Sequence, residues 1–192
     1  MDSLTKYNSL VPSIIGRQTN DNLYILFSAV IGSILLAISA KIQIPLTPVP
    51  VTLQTLVVLV MAMFLGWRAA GAACILYLGE GALGLPVFAQ GGGLPYLIGP
   101  TGGYLFGFLF ASLFLGYLSE RGWDRSIILT FFAMTIGTVI IYFFGVFWLA
   151  IIKDLNTAIA FGLLPFLTPD ILKIFLGTCL ISAGWEVRNK YF

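Results

Sequence analysis

Six apolar stretches, at residues 23–40, 51–65, 69–87, 102–119, 127–152 and 169–187, succeed one another along the chain, and the segments between and flanking them collect most of its charged positions. Several lie near the roughly 20 residues that an α-helix needs to cross the hydrocarbon core of a bilayer. The pattern therefore predicts an all-α, polytopic integral membrane protein of six transmembrane helices. Between the first two stretches, KIQIPLTPVPVTLQ sets Pro45, Pro48 and Pro50 within six residues, and no helix continues through so many missing N–H groups. Between the third and fourth, QGGGLPYLIGPTGGY is dense in turn formers.

Composition sharpens the membrane reading. Hydrophobic residues make up 59% of the 192 and charged ones 9%, with no histidine, whereas soluble domains carry about 25% charged residues. No polar connection is long enough to fold as a soluble domain, and no long tandem repeat is visible. The chain reads as a single membrane domain over 1–192, with an N-terminal segment 1–22, a core 23–187 and a tail 188–192. The N-terminal stretch lacks the apolar run of a cleaved signal peptide, so the first span is expected to remain. Cys74 and Cys179 fall inside spans, where small apolar packing outranks a disulfide.

Lys and Arg give the orientation. With the N-terminus inside, the inner face collects Lys6, Arg17, Arg68, Arg121, Arg125, Arg188 and Lys190, and the outer face only Lys41 and Lys153. Under the positive-inside rule both termini are then cytoplasmic. The prolines, the glycine loop and the start of the last span face outward.

Two charges interrupt the last apolar stretch, GLLPFLTPDILKIFLG: Asp170 and Lys173, three residues apart. Asp170 alone has an ordinary explanation, since Thr168 can cap a helix, Pro169 suits its first position, and a carboxylate in the first turn suits the dipole. Lys173 does not. An ammonium near a helix N-terminus opposes the dipole, and a charge within a span costs a few kcal/mol. It either snorkels or pairs with Asp170, or the two side chains face a cavity and offer donor and acceptor atoms to a polar ligand group. Glu80, an intramembrane carboxylate between Gly79 and Gly81, Gln54 after the prolines, and Tyr77, Tyr104, Tyr142 and Trp148 are further candidates for lining it; aromatic residues at span ends also serve as interface anchors.

The glycine segment invites a phosphate-loop reading, but it lacks the GKS or GKT ending of a Walker A motif, and none occurs elsewhere. A mobile lid over the cavity is the preferred reading. Small residues recur every fourth position at Ala29, Ser33 and Ala37, and at Gly103, Gly107 and Ala111, which lets helices approach closely. The second ladder is read as internal packing. For the first, contact with another protein stands equal to internal packing.

In unbroken order, IPLTPVPVTLQTL, GLPVFAQGGG, GPTGGYLFGF and GLLPFLTPDILK resemble BioY, the biotin-binding S component of energy-coupling factor (ECF) vitamin transporters, over about residues 23–187. The resemblance implies a plasma-membrane subunit that captures biotin from outside. It would deliver biotin through a transmembrane coupling protein and two ABC ATPases, where ATP hydrolysis lies; this chain would be no enzyme. The family's Asp and Lys at the start of the last helix fall on Asp170 and Lys173, and its small-xxx-small motif for the coupling protein falls on Ser33 and Ala37. Serine replaces the more usual alanine there, and TPD stands where PGD is common. Biotin is then the ligand, its urea meeting Asp170 and Lys173 and its rings and chain meeting apolar walls. Lys41 or N–H groups of the glycine loop would meet its carboxylate. No cofactor, metal or nucleic-acid partner is expected beside the lipid bilayer. Two other classes stand beside this reading: an intramembrane enzyme using Asp170 and Glu80, for which the sequence offers no histidine, metal cluster or nucleophile motif, and an autonomous proton-coupled transporter.

Overall fold

A computed structural model of the chain describes residues 9–15 and 21–191. Lys6 and Arg17, counted above for orientation, lie outside the described residues. In chain order the elements are α1 (Leu10–Ile15), α2 (Asp21–Lys41), a two-residue hairpin β1 (Gln43–Ile44) and β2 (Val51–Thr52), α3 (Gln54–Leu65), α4 (Trp67–Ala82), the short α5 (Leu94–Leu97), α6 (Gly102–Glu120), α7 (Ile127–Ile152), α8 (Leu155–Gly162) and α9 (Leu164–Tyr191). The proline segment forms the turn of the antiparallel hairpin, with Gln43 opposite Thr52 and Ile44 opposite Val51.

Each of the six apolar stretches contains a helix, but they are unequal. Four helical runs are long and apolar enough to cross a membrane, namely Asn22–Lys41, Gly102–Glu120, Ile127–Ile152 and Leu155–Tyr191, with Gln54–Leu65 as a shorter apolar helix. The second stretch gives Val51 and Thr52 to the hairpin, and a helix of 12 residues spans only about 18 Å. The third ends at Ala82, after which the chain turns into the loop that carries Phe88.

The last helix starts earlier than the sequence predicts. It begins at Leu164, with Pro169 inside it, so Asp170 sits beyond the first turn, and the cap of Thr168 with Pro169 at the first position is not formed. Pro169 is tolerated because its missing N–H forfeits only a bond to the carbonyl of residue 165, close to the helix start. The preceding helix α8 is capped by Asp154, whose carboxylate accepts from the Thr157 amide at 2.9 Å and its hydroxyl at 2.6 Å.

Small residues set the closest approaches. A Cβ added at Gly103 would lie 2.3 Å from the Cβ of Trp148, and one at Gly107 would lie 3.0 Å from the Cα of Ile141. The α6 ladder is therefore the surface on which α7 packs. On α2, Ala29 and Ser33 are buried while Phe27, Ile31, Ile34 and Ile38 are exposed, and α4 is its main neighbour. Ala29 and Ser33 of the ladder are thus buried, and Ala37 is half-buried.

Arg68, Arg121, Arg125 and Arg188 gather at one end. Glu120 at the end of α6 lies against Gly66 before α4, and Arg125 stacks over Trp185 near the end of α9. At this end Asp124, in a 3₁₀ turn between α6 and α7, is buried and accepts from the Ser119 hydroxyl at 3.2 Å. Burial raises its carboxyl from the ordinary 3.8 to about 6, against the smaller opposing influence of Ser119 and the nearby Trp185 indole. The folded state thus holds this proton to a higher pH than the unfolded chain, so stability falls as pH rises from about 4 to about 6 and is flat above. The ionised group weakens the fold by on the order of 3 kcal/mol. Asp124→Asn should melt above the parent at pH 8, the gap closing below pH 5; a gap independent of pH would contradict this origin.

Candidate functional site

At the opposite end, the start of α9, the hairpin and the start of α3 converge on Asp170 and Lys173. The two form an i, i+3 ion pair with Nζ to Oδ1 at 2.6 Å. Both residues are buried, at 2% and 9% exposure, too deep for snorkelling to explain the lysine. The ammonium also donates to the Thr55 hydroxyl at 2.8 Å and the Thr52 carbonyl at 2.7 Å. The carboxylate accepts from Thr55 at 3.1 Å through Oδ1 and from the Tyr142 hydroxyl at 2.7 Å through Oδ2. All three ammonium hydrogens have acceptors. A buried pair is tolerable only when its remaining donors and acceptors are met in this way.

Above the pair lies a cavity of about 40 Å³ lined by Thr52, Gln54, Thr55, Tyr104, Tyr142 and Phe166, with Ala89 and Tyr96 from the segment between α4 and α6. Small-molecule pockets run from roughly 300 Å³ upward. A ligand of that size enters only if some lining moves. Two walls are polar, through Thr52, Thr55, Gln54 and Tyr142; the rest are apolar. Tyr104 stacks on Phe166 with centroids 5.8 Å apart and donates to the Gly162 carbonyl at 2.7 Å. Its ring lies across Gly145, where an added Cβ would come within 2.2 Å of ring carbons.

The loop after α4 closes the cavity. Phe88 is fully buried, edge-on to Tyr77 at 5.3 Å and stacked on Tyr96 at 5.0 Å. Lys41 donates to the Phe88 carbonyl at 2.6 Å, and Gln43 to the Ala89 carbonyl at 3.1 Å. Trp148 holds the far end through the Gly99 carbonyl at 2.9 Å. In this arrangement Lys41 is a strap for the loop.

The sequence candidates separate into groups. Gln54, Tyr104 and Tyr142 line the cavity, while Asp170 and Lys173 lie behind its wall, bonded to the lining residues Thr52, Thr55 and Tyr142. Tyr77 stands behind Gln54, accepting from its Nε2 at 2.8 Å and donating to the Val87 carbonyl at 3.2 Å. Glu80 does not join the cavity lining: it accepts from Ser33 across the contact of α2 with α4. Its depth was readable from the sequence, but its direction around the helix was not. The same bond turns Ser33 of the first ladder towards α4; Ala29 is buried, and Ala37 keeps partial exposure. The residues missed were Thr52 and Thr55. Their polar TLQT spacing after the prolines was the available signal.

The sequence model of the BioY family matches residues 16–190. The chain is 40% identical to the biotin transporter BioY of Thermotoga maritima over 157 residues, covering 81% of this chain and 92% of that protein. It is 31% identical to the probable biotin transporter BioY of Rickettsia prowazekii over 195 residues, covering 99% and 98%. Among solved structures, the S component for biotin from an ECF-type ABC transporter superposes with a TM-score of 0.76 at 22% identity, covering 88% of this chain and 94% of that one. That likeness establishes the shared fold.

Proposed function

This chain belongs to the BioY family, and on that premise we propose that it is the biotin-binding membrane subunit of an ECF-type ABC uptake transporter, a multi-pass protein and not an enzyme. The observation that carries the reading is the buried Asp170–Lys173 pair, closed by Thr55 and Tyr142 beside a cavity with both polar and apolar walls. A cyclic urea presents N–H donors and a carbonyl acceptor on one edge. Its N–H groups suit the carboxylate of Asp170, and its carbonyl suits the ammonium of Lys173 in exchange for the Thr52 carbonyl or Thr55 hydroxyl. The thiophane ring and alkyl chain suit the Tyr104, Phe166 and Ile141 walls.

Capture takes place from outside, with both termini cytoplasmic, as the distribution of Lys and Arg favours. Delivery and ATP hydrolysis require a transmembrane coupling protein and two ABC ATPases. With Ser33 bonded to α4 and Ala29 buried, the coupling protein would meet α2 along Ala37 and the neighbouring exposed Ile34 and Ile38.

Two measurements test the proposal. Purified chain should give a saturable, one-site biotin isotherm, and biotin uptake by cells should fall to background when the ATPases cannot hydrolyse ATP. Absence of biotin binding would remove the ligand assignment. Full uptake with inactive ATPases would instead favour an autonomous transporter.

A further inference from the structure

The segment between α4 and α6, which supplies Ala89 and Tyr96 to the cavity wall, has a second side. Leu83, Leu85, Leu94 and Ile98 are all exposed, Leu83 at 87%. Backbone contacts gather them. The Gly93 amide donates to the Gly81 carbonyl at 2.6 Å, and Gly92 packs so closely on Leu85 that an added Cβ would lie 2.1 Å from its carbonyl oxygen. The two limbs of the segment therefore lie side by side. The Ile98 amide donates to the Leu94 carbonyl at 3.1 Å, so Leu94 and Ile98 share one face of the α5 turn, while Leu97 on another is buried.

Helix length places these side chains in depth. With 16 residues, α4 climbs about 24 Å from the arginine-rich end, whereas the hydrocarbon core of a bilayer is about 30 Å thick. Its last turn, and Leu83 and Leu85 after it, stop short of the far edge. The chain passes through this depth without a charge, since none occurs between Glu80 and Glu120. Exposed apolar side chains lead towards the patch on both neighbours, Ile75 on α4 and Phe106 and Phe110 on α6. The backbone also suits a medium without water, in which each polar group needs an internal partner. The amides of Leu83, Leu85, Val87 and Ile98 all donate within α4 and the segment, and Pro86 and Pro95 have no N–H to satisfy. Polar contacts collect instead at the Phe88–Gly91 turn, where Lys41 and Gln43 reach the Phe88 and Ala89 carbonyls and Gln90 is exposed.

We propose that this segment is seated in the outer leaflet of the bilayer, with Leu83, Leu85, Leu94 and Ile98 among the acyl chains just beneath the headgroups and the Phe88–Gly91 turn towards water. The partner is lipid hydrocarbon. Resting on the reading of the cavity as the biotin site, the seat makes one piece of chain both a wall of that cavity and a lipid contact.

In a Cys179→Ala background, Leu85→Cys, Leu94→Cys and Gln90→Cys are labelled singly with a nitroxide, Phe110→Cys on the exposed face of α6 serves as the lipid reference, and each full chain is reconstituted in phosphatidylcholine liposomes. Power saturation compares access by oxygen, which concentrates in hydrocarbon, with access by a water-soluble nickel chelate present on both sides of the bilayer. The oxygen-to-nickel ratio at positions 85 and 94 should match that at 110 and exceed that at 90 several-fold. If Leu94→Cys does not fold, Ile98→Cys carries the same expectation. A ratio at 85 and 94 equal to that at 90 would place the patch in water and overturn the proposal. Exclusion of both reagents would show protein rather than lipid on the patch and overturn it as well. No biotin is present, so a negative result leaves the ligand assignment untouched.

Discussion

Replacing Lys173 by Met is expected to weaken biotin binding a hundredfold or more and to lower the melting temperature of the unliganded chain. The ammonium joins three acceptors on three elements, Asp170 of α9, the Thr52 carbonyl of β2 and Thr55 of α3. Removing it leaves a carboxylate that is 2% exposed with only Thr55 and Tyr142, and breaking a buried pair from one side typically costs about 3–5 kcal/mol. Asp170→Asn is milder: it keeps the shape and loses a charge-assisted acceptor. A loss of about 1.5–3 kcal/mol in binding, on the order of tenfold to a hundredfold, follows. The double variant Lys173→Met with Asp170→Asn removes both charges, so it should melt above Lys173→Met alone without recovering affinity. Titration calorimetry and thermal unfolding in detergent measure the two effects. If Lys173→Met and Asp170→Asn both bound biotin as the parent does, the pair would be structural only.

The second large effect comes from an uncharged position. Gly145→Ala should weaken biotin binding at least tenfold, whereas Tyr104→Phe should change it far less. A methyl at residue 145 would sit 2.2 Å from the Tyr104 ring, so the ring must move by more than an ångström, and the free direction is the cavity. Overpacking of this kind typically destabilises by about 1–3 kcal/mol, and here it also fills space that the ligand needs. Loss of the Tyr104 hydroxyl removes only a bond to the Gly162 carbonyl. Parallel isotherms of the two variants decide the matter. Equal affinity of Gly145→Ala and the parent would mean that Tyr104 does not form a wall of the binding site.

How far the site was legible depends on the kind of signal each residue leaves. Asp170 and Lys173 stand out because a charge in an apolar helix has few structural excuses. Thr52 and Thr55 leave no such mark. Threonine is ordinary in apolar segments, and only the fold brings these two beside Lys173, across separations of 121 and 118 residues. The apolar helices were readable from hydropathy, yet their ends were not: hydropathy did not distinguish the extended Val51 and Thr52 from helix, or Leu164–Thr168 from loop. The two ladders show the same boundary. Spacing identified both as close-contact faces, but the partner of each had to come from the tertiary structure, α7 for Gly103 and Gly107 and α4 for Ser33.

The smallness of the cavity, about 40 Å³, also bears on rates and on the meaning of a measured affinity. Biotin that must wait for the loop around Phe88 to lift associates no faster than the loop opens, however concentrated it is. The measured dissociation constant is then the intrinsic one divided by the fraction of time the site is open. Opening one time in about a hundred would weaken apparent binding about a hundredfold with every contact to biotin intact. If that loop is the lining that moves, the bonds to it from Lys41, Gln43 and Trp148 would set affinity from a distance. A residue that never touches the vitamin can tune its capture simply by changing how often the door stands open.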